Sequence, residues 1–465
     1  MQKMKNGKKV LSVCLSLAMA AGMLSTSAFA SWNVYGGSNN HNAVVTEAPT
    51  RPDKSGLDSY IQLHCTGSGW DGVDNVPVLQ TVNGTTYAYV LYDGYGASGA
   101  LVAKIRCAEN GGSSIVWTTD PYGTEGTSLN AKSGFQLSTP YLDDKGTPDD
   151  ASDDTLYVGT ISQYDDYEGG EWLTGTGSKV MALTGLDQNK PTVTNVLTGI
   201  NGQINTPITT DGTYLYFGTW PGGSNAGTYY QVKLSDYSVK TFTPDSYGFY
   251  WAGAVSDGTN VYFGSDNGLL YWRSIADFDT TGGVLDLTDV ASDAGNVRST
   301  VMMDEDGFLY FTTQGGYLWC CSYKDGLTVE WKAKLGPDPD TNVTSTSTPT
   351  KVGDRIYVGY YSGFNAGGVQ CVSADGSSVK TVVEGDGFPV QSSIVVMGDG
   401  TGTDYLYFNT NAQKGAGYCY SYDGGKTGSK VWGTTGDTYA LGGMAIDNGY
   451  AVFGNDYNHL YVVHD

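Results

Sequence analysis

What this chain has little of narrows its chemistry before any motif is read. Histidine occurs four times, at His41, His64, His459 and His464, with no nucleophile motif beside any of them, so hydrolysis finds no foothold. Basic residues number 25 against 48 acidic ones. A chain so acidic repels phosphate backbones, which makes nucleic acid a poor partner. After residue 30 no apolar run approaches the roughly 18 residues that would suggest a membrane span. Apolar stripes with a helical period are also missing there.

The first thirty residues stand apart. Lys3, Lys5, Lys8 and Lys9 make a basic start, Val10 to Leu24 an apolar stretch, and Ala28-Phe29-Ala30 a small-x-small cleavage pattern. This reads as a signal peptide, residues 1–30, with Ser31 the new N-terminus. Val13 ahead of Cys14 is too large for a lipoprotein signal. The mature chain keeps 21 basic residues against 48 acidic ones, a net charge of −27. It is expected outside a bacterial cell, secreted or associated with the surface, as a soluble monomer.

Its length exceeds a usual single core and points to several domains or a repeat architecture. Gly, Thr, Ser, Asp and Tyr dominate, no linker interrupts the chain, and residues 31–465 read as one repeat domain. An aromatic followed by Val or Phe recurs at Tyr89, Tyr157, Tyr216, Tyr262, Tyr310, Tyr357 and Tyr407, and closes as Val452-Phe453. The later copies are spaced 45 to 50 residues apart. Ahead of each lies a short run of small residues, such as Ser138-Thr139-Pro140, Asn205-Thr206-Pro207 or Ser347-Thr348-Pro349, joined to it by an Asp-Gly type of turn. Four strands per period of this length indicate a propeller blade.

The expected fold is therefore all-β, an eight-bladed β-propeller of four-stranded antiparallel blades, with seven blades as the alternative. The last blade has room for three strands only. Its fourth is expected from the mature N-terminus, Ser31 to Tyr35, which closes the ring and removes exposed edges. Six cysteines remain, at Cys65, Cys107, Cys320, Cys321, Cys371 and Cys419. Four of them fall at similar places in successive repeats, too far apart for disulfides if sheets stack roughly 10 Å apart. They read as small buried apolar side chains.

Trp117 after Glu109-Asn110-Gly111-Gly112, Trp331 after Asp325-Gly326 and Trp432 after Asp423-Gly424-Gly425 place a tryptophan in the fourth strand behind a glycine turn, and Trp32 opens the segment WNVYGGSNNH. In these features the unit resembles the repeat of the quinoprotein (PQQ-like) propellers. The family holds dehydrogenases, scaffold lipoproteins and binding proteins, so the resemblance implies a fold and not one activity. Its dehydrogenases carry two adjacent, bridged cysteines against the cofactor, and Cys320-Cys321 is such a pair. That pair falls inside a predicted third strand, however. The calcium ligands and catalytic aspartate of those enzymes find no residue-by-residue match, which argues against PQQ.

Two further features suggest binding. Asp143, Asp144, Asp149, Asp150, Asp153 and Asp154 crowd one loop and are candidate Ca²⁺ ligands, against the plain reading of a solvated acidic hairpin loop. Long loops carrying aromatics fall on one face of the propeller, with Tyr92, Tyr95, Tyr164, Tyr167, Trp172, Trp220, Tyr250, Trp251, Tyr360, Tyr361 and Phe364 as the candidate ligand-binding residues. Tyr and Trp among Gly, Asn and Asp add contact area at low entropic cost. The function these observations favour is a non-enzymatic binding or scaffold propeller for an extracellular carbohydrate or protein, without a catalytic site. A PQQ-dependent dehydrogenase is the alternative.

Overall fold

The computed structural model describes residues 31–465 other than 68, 70, 71, 110, 132–137, 162–163, 169–170, 175–176, 325 and 339. The side chains of 162–176 also lie outside that description. In blades 3, 4 and 5 the repeated tyrosine is tied to an aspartate of the turn before it. In blade 4, Tyr262 is buried on the second strand, Asn260–Ser265, and its hydroxyl donates to Asp257 Oδ2 at 2.8 Å. The other oxygen of Asp257 accepts the backbone N–H groups of Thr259 and Asn260 at 2.8 and 2.7 Å, which shapes the preceding turn. Asp211 with Tyr216 in blade 3 and Asp304 with Tyr310 in blade 5 repeat the arrangement, at 2.7 and 3.1 Å. One carboxylate thus sets the hairpin and satisfies a phenol that would otherwise be buried unpaired.

Eight repeat units form eight four-stranded antiparallel blades in a ring. Innermost strands are short, for example Thr209–Thr210 in blade 3 and Thr350–Val352 in blade 6, because proline and small residues crowd the axis. The Ser-Thr-Pro type of triad lies at or just before these strands. Blade 2 carries a second, two-stranded sheet, Tyr164–Glu168 with Glu171–Thr174, in a stretch expected to be plain loop. The only α-helix among the described residues is Lys54–Asp58, capped by Asp53.

Between blades the contacts are apolar. Cys320 and Cys321 neighbour each other on the third strand of blade 5, Tyr317–Ser322, so their side chains leave opposite faces. Cys320 packs with Ile356 and Val358 of blade 6, and Cys321 with Val255 and Tyr262 of blade 4. All six cysteines are free and all but Cys65 are buried, as packing residues should be. Fourth-strand tryptophans dock the neighbouring unit. Trp331 lies so close over Gly376 that a Cβ there would stand 2.5 Å from the indole, and the Trp432 indole N–H reaches the Pro49 carbonyl at 2.8 Å.

The N-terminal region closes the ring, but with different residues from those expected. The fourth strand of blade 8 is Ile61–Gln62, paired antiparallel with His459 and Leu460. Ser31 to Tyr35 runs into the central channel instead. The physical reason is that the first strands expose unpaired backbone groups along the axis, and an irregular segment rich in Gly and Asn can reach several of them. Leu79 N–H donates to the Trp32 carbonyl, Leu142 to Asn33, Met303 to Asn40 and Val396 to Ala43, at 2.8 to 3.0 Å. Asn42 mimics a strand partner for blade 6, its Oδ1 accepting from Lys351 N–H at 2.8 Å and its Nδ2 donating to the same residue's carbonyl at 2.9 Å. Val44–Val45 then adds a parallel edge to blade 7. The fold of this segment depends on Gly36 and Gly37, both at positive φ (72° and 69°), where a side chain would strike His41 or the Trp32 ring.

Asp257→Ala should lower the unfolding free energy by about 1–3 kcal/mol, because it strands a buried phenol and two turn N–H groups. The loss should be smaller in a Tyr262→Phe background. Equal losses in both backgrounds, measured by urea denaturation, would show that the two side chains are not coupled.

Candidate functional site at the axial mouth

One end of the axis, reached from the loops between second and third strands and between consecutive blades, holds a cavity of about 70 Å³. Every blade contributes at least one residue to its wall, and Tyr35 of the N-terminal segment lines it from below. The Tyr35 hydroxyl lies 2.9 Å from Thr348 Oγ1 of blade 6. Burial raises the pKa of this phenol above its ordinary value, so it stays a neutral hydrogen-bonding group.

An aromatic and ionic cluster stands at the lip of the cavity. Trp220 follows the second strand of blade 3, Tyr214–Gly218, and its indole N–H donates to Asp266 Oδ2 at 3.2 Å. Asp266 also receives Arg298 in a bidentate pair, Nε to Oδ1 at 2.8 Å and Nη2 to Oδ2 at 2.7 Å. Burial opposes the charge on Arg298, but hydrogen bonds to Asp266 and that residue's charge outweigh it, so the guanidinium pKa rises further. The Arg298 guanidinium carbon is 4.4 Å from the centre of the Tyr250 ring, a cation–π contact. Tyr250 in turn meets Trp220 edge-on at 5.1 Å and Trp251 at 4.7 Å. Trp251 lines the cavity and has a φ of 58°, a conformation that bulky residues avoid. Such strain persists only where the surroundings impose it, and it often accompanies a binding role.

Four residues from the aromatic loops therefore meet the axis or its lip: Trp220, Tyr250, Trp251 and Tyr361. Burial raises the pKa of Tyr361, and hydrogen bonding of its hydroxyl with Gln314 and Thr346 partly offsets this. Three others are corrected by their burial. Tyr92 is 0% exposed and packs in the core, and Tyr360 is 3% exposed with its hydroxyl 3.4 Å from Glu384 Oε2. Tyr95 is also buried, donating to the Asp456 carbonyl. In each case the ring turns inward to fill space between blades, which a loop position in sequence does not disclose. Tyr164, Tyr167 and Trp172 belong to the extra hairpin of blade 2, and their side chains lie outside the described residues. Phe364 is 57% exposed and leans on Tyr439 at 5.7 Å.

Tyr439 marks a second feature that sequence reasoning missed. An open depression of about 640 Å³ over blades 7 and 8 is lined by Gln413, Lys414, Asp437, Tyr439 and Tyr457 among others. At its side His459 Nδ1 meets Asp437 Oδ2 at 2.5 Å and stacks on Tyr60 at 3.6 Å. The loop containing Lys414 has no aromatic residue and so gave no signal.

The six candidate calcium ligands do not assemble. Among the described residues no group of three or more His, Cys, Asp or Glu is arranged to hold a metal ion. Asp143 pairs with Lys145, while Asp144 and Asp150 accept N–H groups of their own turns. Asp149 accepts from Asn83 and Asp153 from Thr147. Asp154 is buried, receives Gln80 Nε2 at 2.6 Å, and has its pKa pushed up to about 6, first by burial and then by neighbouring aspartates. The adjacent cysteines do not fit the place the quinoprotein resemblance implies either. They face opposite sides of a strand within blade 5, and neither lines the axial cavity.

With this geometry in view, the class of molecule is an eight-bladed propeller with a polar axial cavity and an aromatic lip. No family model matches the sequence, and no curated protein matches it. Solved structures are similar in fold. BamB from Moraxella catarrhalis is 13% identical with a TM-score of 0.50, the match covering 88% of this chain and 98% of that one. A europium-containing methanol dehydrogenase is 11% identical with a TM-score of 0.55, covering 93% and 89%. The quinohemoprotein alcohol dehydrogenase from Comamonas testosteroni is 10% identical with a TM-score of 0.59, covering 93% and 78%. At these identities the likeness concerns the fold alone, and it spans enzymes as well as BamB.

The raised pKa of Asp154 has a stability consequence. The protonated form is favoured on folding, so its contribution is full below the ordinary value near 3.8 and is lost as pH rises through about 6. Asp154→Asn should therefore gain on the parent protein between pH 4 and pH 7 in urea midpoints, with the advantage shrinking toward pH 4. A difference that does not change with pH would contradict this assignment.

Proposed function

We propose that this protein is a non-enzymatic propeller, exported from a bacterial cell, that binds carbohydrate at the axial mouth as a monomer. The observation that carries this reading is the half-buried cluster of Trp220, Tyr250 and Trp251, held by the Asp266–Arg298 pair beside a small polar cavity. Flat indole and phenol faces next to a fixed carboxylate and guanidinium suit a ring that is apolar on its faces and polar on its rim. A stable protein interface usually needs about 800 Å² per partner, and the compact recess favours a smaller ligand. Redox catalysis is the competing class. Against it, the cysteine pair lies away from the axis, inside apolar contacts where burial raises both thiol pKa values, Cys320 to about 12. Such thiols are poor nucleophiles.

A glycan-array screen with residues 31–465, followed by Trp251→Ala and Trp220→Ala, tests this reading. Each substitution should weaken capture by about tenfold or more, as expected for aromatic anchors, with an unchanged melting temperature. Unaltered binding in both variants would move the site elsewhere. Steady reduction of a dye in the presence of PQQ, Ca²⁺ and an alcohol or sugar would overturn the non-enzymatic assignment.

A further inference from the structure

The face that carries the axial mouth holds a second recess. The depression over blades 7 and 8 is built from three loops. Gln413 and Lys414 lie between the second and third strands of blade 7, Asp456 and Tyr457 between those of blade 8, and Asp437 to Tyr439 in the connection joining the two blades. Loops of these two kinds surround the axial mouth, so both recesses open on one face. The connection also joins them, because Leu441, Gly442 and Gly443, just beyond Tyr439, line the axial cavity. Trp220, Tyr250 and Trp251 come from blade 3 and from the connection between blades 3 and 4. In a ring of eight blades that connection lies half a turn from the one between blades 7 and 8. The two aromatic sites therefore flank the axis on opposite sides.

Exposed rings gather at the depression. Among the described residues five aromatic side chains are exposed, Tyr60, Tyr122, Tyr237, Phe364 and Tyr457. Three of the five belong here: Tyr457 lines the recess, Phe364 packs edge-on against the lining Tyr439, and Tyr60 stacks on His459 at its side. Apolar rings left together in water mark a surface that gains by being covered. The polar part of the wall is fixed in advance. Asp437 accepts from Asn455 Nδ2 at 2.6 Å and from His459 Nδ1 at 2.5 Å, while Asn455 Oδ1 holds the backbone N–H groups of Tyr457 and His459 at 3.0 and 3.1 Å. The Tyr461 hydroxyl stands further from Asp437, at 3.4 Å. A carboxylate offers about four acceptor positions. The Asp437 side chain, 29% exposed, thus keeps room for a ligand hydroxyl.

Size and charge narrow the ligand. A volume of about 640 Å³ falls within the range of about 300–1,000 Å³ usual for small-molecule sites, so the depression can take more of a ligand than the axial cavity can. Residues 31–465 carry 21 basic and 48 acidic side chains, which repels a polyanion such as a uronate or sulfated chain. We infer that the depression over blades 7 and 8 is a second carbohydrate subsite, and that an uncharged polysaccharide crosses the face with one stretch on Tyr457, Tyr439 and Phe364 and another on Trp251 and Trp220. This inference rests on the carbohydrate reading above and adds a second contact and a preference for long, uncharged chains.

Titration calorimetry on residues 31–465 compares maltose, cellobiose, mannobiose and chitobiose with longer soluble oligomers of each, and with an oligouronate. In a series that binds, the long oligomer should bind at least about tenfold tighter than the disaccharide, because holding one stretch raises the effective concentration of the other. Tyr457→Ala combined with Phe364→Ala should remove that gain and leave disaccharide binding at the axial mouth. Both side chains are exposed, so the double variant should fold as the parent does, which its melting temperature checks. Binding that Trp251→Ala abolishes, with no gain from length and no response to the double variant, would overturn the second subsite and leave the carbohydrate reading standing. Binding abolished by the double variant and indifferent to Trp251→Ala would overturn both the crossing chain and the axial placement. Tighter binding of the oligouronate than of any uncharged oligomer would overturn the stated ligand class. Absence of binding in every series, or capture of a protein partner alone, would overturn both readings.

Discussion

Backbone groups along the axis set the terms for the rest of this structure. Each innermost strand turns an edge to the axis, where only that of blade 7 gains a partner strand among the described residues, Val44–Val45, and in a narrow channel water cannot be relied on to satisfy the rest. Residues 31–45 answer that demand with carbonyls from Trp32, Asn33, Asn40 and Ala43 and with the side-chain amide of Asn42. His41 is buried there, its two ring nitrogens 2.9 and 2.7 Å from the carbonyls of Tyr35 and Ala254. Burial lowers the pKa of that imidazole. The same segment brings Tyr35 beneath the axial cavity, so the element that completes the channel also gives the site its depth.

Closure of the ring is a separate task done by neighbouring sequence. Ile61–Gln62 completes blade 8, and Tyr60 caps the junction by stacking on His459. The N-terminal stretch is therefore divided in function: its first fifteen residues serve the axis, and the strand near residue 61 serves the rim.

Blade number and strand order were legible because an aromatic second strand recurs behind a tight turn, and in blades 3, 4 and 5 an aspartate of that turn binds the buried tyrosine. Fourth-strand tryptophans were legible because each follows a glycine turn of its own blade, although Trp331 packs on Gly376 of the next blade. The closing strand was misassigned because Ser31 to Tyr35 has the alternation of a short strand, whereas its use is decided by unpaired groups far away in sequence. The site was only partly legible. Trp220, Tyr250 and Trp251 could be placed on one face by loop length, but Tyr92 and Tyr360 could not be told from them without the packing between blades.

A crystal structure of the mature chain with an oligosaccharide bound would test the central claim most directly. The account predicts the sugar at the axial mouth, packed against Trp251 and Trp220. Density for the sugar on the opposite face, or confined to the depression around Tyr439 and Tyr457 with the axial cavity unchanged, would contradict it.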